Sequence, residues 1–328
     1  MHIAIVGATG NLGQDVLDQL TSEKRDNITI SAFATENSIS ENFSFGDTTI
    51  QVEEIKEDSF NNADIVVLAV PAEFATKYAE MAVKANAQVI DASGMLADEK
   101  NPLVLYNTNI NDADGSKKVI VSPNPLVQQL VNVLAPLDKS AGVKRVVTST
   151  YQAVSGKGKH AIAELFEQST ALLSGNDHMD VNNFSTQIGF NCIPTTSEFI
   201  GEHAQEELQI IAQTQALLHK QFPITATCVQ IPTFIGYGQA VSIEFENFID
   251  AAKVRQILEL ADNVNVLDNP KNHEYSTPYG SAETSGIYVS RIRADIANPN
   301  TINMWVVADN LQLSALNIVN IVKKLSSH

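Results

Sequence analysis

A glycine-rich turn close to the start of the sequence constrains the fold more than any other feature. The apolar residues 3–7 are typical of a buried strand, the segment GATGNLG spans residues 7–13, and residues 12–21 predict a helix. Glycine permits a tight turn with close backbone approach, and a helix N-terminus offers free N–H groups to a pyrophosphate. This order predicts a Rossmann-like dinucleotide site formed by Gly7, Thr9, Gly10, Asn11, Leu12 and Gly13. A turn that is kept as architecture and binds nothing is the alternative.

Short apolar runs alternate with helical stretches over the first 125 residues. The pattern predicts strands at 28–33, 64–70, 88–91 and 118–121, a helix at 72–86 and a hairpin-like stretch before residue 53. Strands that alternate with helices are typical of a doubly wound parallel sheet. We therefore expect residues 1–125 to form an NAD(P)-binding α/β domain.

The sequence changes character after a helix predicted from Pro125 to about Pro136. Long valine- and isoleucine-rich runs at 143–151, 224–234, 240–245, 264–267, 287–294 and 301–307 predict strands, with helices at 160–173 and 205–220. Residues 126–308 therefore predict an α+β substrate and dimerisation domain on a mixed or antiparallel sheet. The amphipathic stretch 310–325 predicts a C-terminal helix, and we expect residues 309–328 to return to the first domain.

Charge and cysteine content exclude several classes of protein. The 21 Lys and Arg against 38 Asp and Glu leave a net charge of −17, which argues against nucleic acid and anionic membrane surfaces as partners. No apolar run is long enough to span a membrane, and the first residues lack the pattern of a signal peptide, so we expect a cytoplasmic protein. Two cysteines supply neither a disulfide framework nor a four-ligand zinc site, and no metal site is predicted.

The choice of dinucleotide depends on the end of the second predicted strand. Glu36 stands there, and a carboxylate at this place accepts a hydrogen bond from a ribose 2′-OH but repels a 2′-phosphate. Glu36 therefore favours NAD over NADP, if either binds. Its other interpretation is a solvated loop acid.

Several motifs together resemble the aspartate-β-semialdehyde dehydrogenase family over essentially the whole chain. They are GATGNLG at 7–13, VIDASG at 89–94, SPNP at 122–125, STYQAVSG at 149–156, FNCIPT at 190–195, SRIR at 290–293 and MWVVADNL at 304–311. The resemblance implies a dimer and the reduction of β-aspartyl phosphate by NADPH through a thioester on a cysteine. It also implies that Gln152 orients the substrate and that Asn310 lies next to the nicotinamide.

The sequence differs from this family at the positions to which the resemblance assigns the catalytic residues. Pro125 stands at the position of the nucleophilic cysteine, and proline offers no nucleophile, although it suits the first position of a helix. Cys192 and Cys228 fall at positions where packing residues are expected, and no motif places a histidine to activate Ser122.

The groups that hold the substrate and move its proton also differ. Gln230 replaces the substrate-binding arginine, Tyr237 replaces the acid/base histidine, and Gln213 stands at the first position of a Glu-Thr-x-Lys motif. A neutral amide cannot make the charged bidentate pair of an arginine, and tyrosine, with a pKa of about 10, is a poor proton shuttle. The phosphate-binding arginine falls near Ala97. Arg291 and Arg293 are retained, and their alternation on one strand face predicts salt bridges.

These departures make the chain most similar to the Usg-type paralogues, which lack the cysteine. The first hypothesis is a protein without thioester chemistry that keeps the fold, possible NAD or NADP binding and a homodimer. The second is an NAD(P)-dependent oxidoreductase that acts on an aldehyde or oxo group by non-covalent chemistry, linked to aspartate-family amino-acid biosynthesis. The third is an interaction module that forms a mixed dimer with an active relative.

Overall fold

The computed structural model describes residues 1–23, 28–34, 42–45, 48–176 and 179–327. Contacts divide the chain into two compact units, one made of Met1–Asn124 with Ser314–His328 and the other of Pro125–Leu313. Each unit is built on its own large β-sheet. In the part of the chain that the structure describes, no helix combines the length and apolar character needed to cross a membrane.

The first unit is an α/β structure on a seven-stranded sheet. Its strands and helices are β1 (His2–Val6), α1 (Asn11–Ser22), β2 (Thr29–Ala34), β3 (Asn42–Phe45), β4 (Thr48–Glu54), β5 (Ile65–Leu68), α2 (Ala72–Lys84), β6 (Gln88–Asp91), α3 (Tyr106–Asn109) and β7 (Val119–Val121). The strand order is β3-β4-β2-β1-β5-β6-β7, and every neighbouring pair is parallel except the β3–β4 hairpin at one edge. The predicted parallel sheet is confirmed.

The second unit is built on a six-stranded mixed sheet. Its strands and helices are α4 (Pro125–Ala141), β8 (Val143–Gln152), α5 (Lys159–Leu173), β9 (Phe199–Ile200), β10 (His203–Ala204), α6 (Gln205–Leu218), β11 (Ile224–Gln230), β12 (Tyr237–Phe245), α7 (Ala251–Leu258), β13 (Val264–Val266), β14 (Asp268–Asn269), β15 (Glu274–Tyr275), β16 (Ile287–Ala294) and β17 (Thr301–Ala308). The sheet order is β11-β8-β12-β17-β16-β13, with parallel pairs only at its two edges. The mixed sheet that the sequence predicts is confirmed.

The central strand β1 of the first unit is buried on both faces, as parallel strands under two helical layers are. Ile3 and Ile5 enter one apolar cluster, whereas Ala4 and Val6 enter the cluster on the opposite face. This explains why the sequence of the strand is an unbroken run of apolar residues and does not alternate between apolar and polar residues.

The last helix, α8 (Asn310–Leu325), begins in the second unit and belongs to the first from Ser314 onward. Ile318 and Val322 join the apolar cluster that contains Val16 of α1. Lys323 Nζ lies 2.6 Å from the carboxylate of Glu23, which caps the C-terminal end of α1. The predicted return of the C-terminal helix to the first domain is therefore confirmed.

Two predictions of secondary structure need correction, and one helix was missed. Helix α4 does not end at Pro136 but continues to Ala141, since burial of its apolar face offsets the hydrogen bond that proline removes. The strand predicted at 224–234 ends at Gln230, before Pro232, which has no N–H to give to a strand ladder. Helix α7 was not predicted from the sequence, because its eight residues are too few for a clear period.

The retained arginines also differ from prediction. The register of β16 with β17 shifts between Ser290 and Arg293, so the strand contains a β-bulge and simple alternation does not hold. Neither Arg291 nor Arg293 takes part in any of the ion pairs found among the described residues. The predicted salt bridges are therefore wrong.

One buried amide of α8 ties the helix to the first unit. Asn317 Oδ1 accepts from the Tyr106 backbone N–H at 2.9 Å, and its Nδ2 donates to the Val104 carbonyl at 2.9 Å and to Ser122 Oγ at 2.8 Å. Replacement by alanine leaves buried polar backbone groups without partners. We expect Asn317→Ala to lower the free energy of unfolding by about 2 to 4 kcal/mol.

Urea or thermal unfolding measures this loss, and Asn320→Ala is the matched control. Asn320 lies on the same helix, but its Nδ2 donates only to the Leu316 carbonyl of that helix, at 2.8 Å. An equal loss for the two variants would contradict the role assigned to Asn317.

Candidate functional site

The glycine turn of the first unit has the geometry that a pyrophosphate requires. Gly7 lies at φ +83°, and a Cβ there would stand 2.3 Å from the Ala69 carbonyl oxygen. A Cβ on Gly13 would stand 2.3 Å from the Gly7 carbonyl oxygen, so the turn and the start of α1 close tightly only with glycine. The turn is joined to β2, because the N–H groups of Gly7 and Ala8 both donate to the Phe33 carbonyl, at 2.9 and 3.2 Å.

The other predicted cofactor residues take their places around this turn. Gly10 has an extended backbone, caps α1 and places Asn11 and Leu12 in its first turn, with Thr9 just before it. The first turn of α1 contains no acidic side chain that would repel a phosphate. The segment therefore fits a dinucleotide pyrophosphate. Glu36 lies outside the described residues, so the preference for NAD stays a prediction.

In the second unit, strand register brings three of the predicted site residues to one level. Gln152 of β8 is paired with Gln230 of β11 on one side and with Tyr237 of β12 on the other. All three side chains are buried, and Gln230 Nε2 donates to the Gln152 carbonyl at 2.7 Å. Side chains predicted separately from distant motifs thus lie together at the ends of three adjacent strands.

Three more side chains complete this group, and sequence reasoning missed all of them. Gln152 Nε2 donates to Glu206 Oε2 at 3.1 Å and to Thr150 Oγ1 at 3.1 Å, and Thr196 Oγ1 donates to the same carboxylate. With Cys228 of β11, these residues form what we call the strand-end cluster: Thr150, Gln152, Thr196, Glu206, Cys228, Gln230 and Tyr237. The acidic pair at the start of α6 was the available signal, but such a pair usually indicates helix capping.

The second acid of that pair, Glu207, caps the start of α6. Glu207 Oε2 accepts from the Ala204 N–H at 3.0 Å, and its Oε1 accepts from the Cys228 N–H, also at 3.0 Å. Glu206 differs because its carboxylate reaches the amide of Gln152 instead. Gln213 is buried two turns further along the same helix, on the face that Glu206 also occupies.

Tyr237, which the sequence predicts at the position of the acid/base histidine, is a buried phenol. Burial is the main cause that raises the pKa of Tyr237, and the carboxylate of Glu206 and the thiol of Cys228 raise it further. The hydroxyl also packs against the short helical segment 154–157 that follows β8, because a Cβ on Gly156 would stand 1.7 Å from Tyr237 Oη. Tyr237 therefore fills space and stays protonated near neutral pH, so it does not exchange a proton readily there.

The two cysteines differ in their surroundings. Burial, together with the charges of Glu206 and Glu207, raises the pKa of the Cys228 thiol, although hydrogen bonds with threonines oppose this. A thiol held in the protonated form is a weak nucleophile. Cys192 is exposed, which corrects its assignment to a packing position.

The remaining predicted positions have structural partners. Pro125 is the first residue of α4, where its fixed φ and its missing N–H are tolerated. Ser122 is buried and accepts a hydrogen bond from Asn317. Asn310 is buried in the second unit, and its Oδ1 accepts from Ser155 Oγ at 3.1 Å, which fixes the direction of the amide. Among the described residues no group of His, Cys, Asp or Glu side chains is arranged to hold a metal ion.

The two sheets define an α/β fold of the dinucleotide-binding type that is joined to a second, sheet-based domain. The family described as semialdehyde dehydrogenase, NAD binding domain, matches residues 2–116, and semialdehyde dehydrogenase, dimerisation domain, matches residues 134–313. The chain belongs to the semialdehyde dehydrogenase family, and its full-length relatives are aspartate-semialdehyde dehydrogenases.

Relatives from several bacteria match over nearly their whole length. The aspartate-semialdehyde dehydrogenase of Campylobacter jejuni is 36% identical over 98% of this chain and 96% of its own. That of Aquifex aeolicus is 35% identical over 99% of this chain and 97% of its own. The crystal structure of aspartate semialdehyde dehydrogenase II from Vibrio cholerae, complexed with ASA, is 31% identical with a TM-score of 0.93, covering 99% of this chain and 98% of that one.

The two thiols should differ sharply in reactivity. We expect Ellman's reagent at about pH 8, close to the pKa of a free thiol, to modify one cysteine per native chain and both in denaturant. The sign follows from the raised pKa of Cys228, which keeps its thiolate population small until the pH is well above that of the assay. Cys192→Ser should leave the native protein unreactive, and fast labelling of this variant would contradict the assignment.

Contact between Gly156 and Tyr237 predicts a coupled pair. We expect Gly156→Ala to destabilise the protein, because the added methyl group collides with the phenol oxygen. Tyr237→Phe removes that oxygen and should recover part of the loss in the double variant, as a double-mutant cycle of melting temperatures would measure. Additive effects of the two changes would show that the predicted collision does not occur.

Proposed function

We propose that this chain is a member of the family without thioester chemistry, which keeps the capacity to bind a dinucleotide and to dimerise. The observation that carries the proposal is Pro125 at the first position of α4, where the family's nucleophile is expected. The strand-end cluster supports it, because Gln230 and Tyr237 are neutral there and Tyr237 stays protonated. This combination resembles the Usg-type paralogues, and a cytoplasmic location is part of the same proposal.

The charge of the strand-end cluster points in the same direction. Its one acidic side chain is Glu206, and a carboxylate repels the carboxylate and phosphate groups of β-aspartyl phosphate. Lys157, whose Nζ donates to the Thr196 carbonyl at 2.9 Å, keeps its positive charge, but it lies outside the cluster, and within the cluster Gln230 stands in place of the family's arginine. A substrate of the family's charge would therefore bind weakly.

A dinucleotide fits the first unit on the grounds of the glycine turn. Its pyrophosphate would be held by Gly7, Thr9, Gly10, Asn11, Leu12 and Gly13. The resemblance to the family implies that Asn310 lies next to the nicotinamide. When bound, a nicotinamide supplies hydride transfer. The protein's own part would be to orient the ring by an amide whose direction Ser155 fixes.

An assay with β-aspartyl phosphate and NADPH tests the loss of chemistry. We expect no turnover by this chain under conditions where the Campylobacter relative is active, since removal of a covalent nucleophile costs several orders of magnitude in rate. Pro125→Cys alone should not restore activity, because Gln230 and Tyr237 still lack the charges. Turnover by the unaltered chain at the rate of its relative would overturn the proposal.

Dinucleotide binding separates this proposal from a second candidate, an oxidoreductase that reduces an aldehyde or oxo group without a covalent step. The candidate is favoured by the intact turn and by the retained Gln152 and Asn310. Thermal shift with NAD, NADH, NADP and NADPH should show stabilisation by at least one of them. Thr9→Glu, which puts a negative charge in the turn, should abolish it, while Thr9→Val should not.

Stabilisation without turnover on a panel of small aldehydes and oxo acids supports the non-catalytic proposal. Turnover on that panel would favour the oxidoreductase, and the absence of any dinucleotide effect would exclude both uses of the turn.

We further propose that the chain forms a homodimer, as the match of its second unit to a dimerisation domain suggests. Analytical ultracentrifugation should give twice the chain mass of 35.6 kDa. Co-expression with an active dehydrogenase, followed by a pull-down, tests the alternative of a mixed dimer. Recovery of homodimers alone would count against that alternative.

A further inference from the structure

The strand-end cluster contains two amides whose orientation is fixed by their nitrogen atoms. Gln152 Nε2 donates to Glu206 Oε2 and to Thr150 Oγ1, both at 3.1 Å, so both of its N–H groups are used. Gln230 Nε2 donates to the Gln152 backbone carbonyl at 2.7 Å. A carboxylate and a backbone carbonyl only accept hydrogen bonds here, so each contact determines which end of the amide is the nitrogen.

The oxygen atoms of the same two amides lack a donor. Among the described residues, no group donates a hydrogen bond to Gln152 Oε1 or to Gln230 Oε1. The two side chains are only 2% and 1% exposed, and polar atoms buried to this extent usually have a partner. Neither oxygen is among the described unpartnered atoms that are closed off from solvent, so a ligand can reach both.

Both amides lie on one face of the sheet and at one level. Gln152 and Gln230 are register partners in the parallel pair of β8 and β11, so their side chains leave adjacent strands in the same direction. Adjacent strands are about 4.8 Å apart. One ligand group can therefore contact both amide oxygens at once.

The electrostatic field at this place is negative. Burial is the main cause that raises the pKa of Tyr237 and of the Cys228 thiol, and the charge of Glu206 raises both further. Lys157 does not reverse the sign, because its side chain is exposed and solvent screens its charge. A negative field beside acceptors without donors favours a ligand group that is positively charged and donates hydrogen bonds.

We propose that the strand-end cluster binds the primary ammonium group of a small organic molecule. An ammonium has three N–H donors and no acceptor, so it suits the two amide oxygens and the charge of Glu206. The resemblance places an arginine at Gln230 and a glutamate at Gln213, so this arrangement is not that of the family. The inference rests on the proposed function, because it assigns the retained cluster to a ligand other than β-aspartyl phosphate.

Probes of one size and different charge test this preference. We expect n-propylammonium to bind at millimolar concentration, measured by saturation-transfer NMR and calorimetry, and propionate and 1-propanol to bind about tenfold more weakly or worse. Propanol binding as tight as that of the ammonium would mean recognition of the apolar chain alone, and tighter binding of propionate would mean a positive site. Either result would overturn the proposal, as would the absence of saturable ammonium binding.

Variants locate the effect. Glu206→Gln keeps an acceptor for the Gln152 amide but removes the charge, so it should weaken ammonium binding about tenfold or more. Gln230→Arg places a positive charge at the same level, so it should abolish ammonium binding and strengthen that of propionate. Glu202→Gln removes one acidic group from the exposed turn between β9 and β10 and is the matched control.

An equal loss of affinity in the Glu202 variant would mean general attraction by a chain of net charge −17 and would overturn the site. Unchanged affinity in both cluster variants would also overturn it. None of these measurements uses β-aspartyl phosphate or a dinucleotide. Failure of the ammonium to bind therefore rejects this inference alone, whereas turnover of β-aspartyl phosphate rejects the proposed function.

Discussion

The pairing of β8 with its two neighbours is the constraint on which the candidate site depends. Gln152 faces Gln230 across a parallel ladder and Tyr237 across an antiparallel one, so three motifs from different parts of the sequence end at one level. A slip of one residue in either ladder would turn a whole strand's side chains to the opposite face. The Gln230 amide, which donates to the Gln152 carbonyl, adds a side-chain link at the same place.

Around that frame, several residues that the proposal concerns have structural roles. Pro125 begins a helix, the phenol of Tyr237 fills the space beside Gly156, and Cys228 is a buried thiol between threonines and carboxylates. Each of these residues is compatible with an intact structure, because packing and helix initiation do not require a nucleophile or a charge. This is the physical basis for proposing a stable relative without thioester chemistry.

Much of the fold could be predicted because buried strands and helices have recognisable patterns of apolar residues in the sequence. The strands of both sheets and the C-terminal helix follow from apolar runs and helical periodicity. Helix α4 continues beyond Pro136 because burial of its apolar face outweighs the tendency of proline to end a helix. The bulge at Arg291 was not predicted because it depends on a hydrogen bond to Asp268, which is distant in sequence. Glu206 was missed for a similar reason, since its role depends on a contact with Gln152 across the fold.

The sequence by itself determined the fold class, the glycine turn and the absence of a cysteine at position 125, because each depends on residue type within a short segment. Only the tertiary structure decided that Glu206 joins the strand-end cluster and that Cys192 is exposed while Cys228 is buried. It also decided that acceptors within the cluster hold the nitrogens of the Gln152 and Gln230 amides. Burial, charge and proximity at these places arise from contacts between distant segments, which no local pattern records.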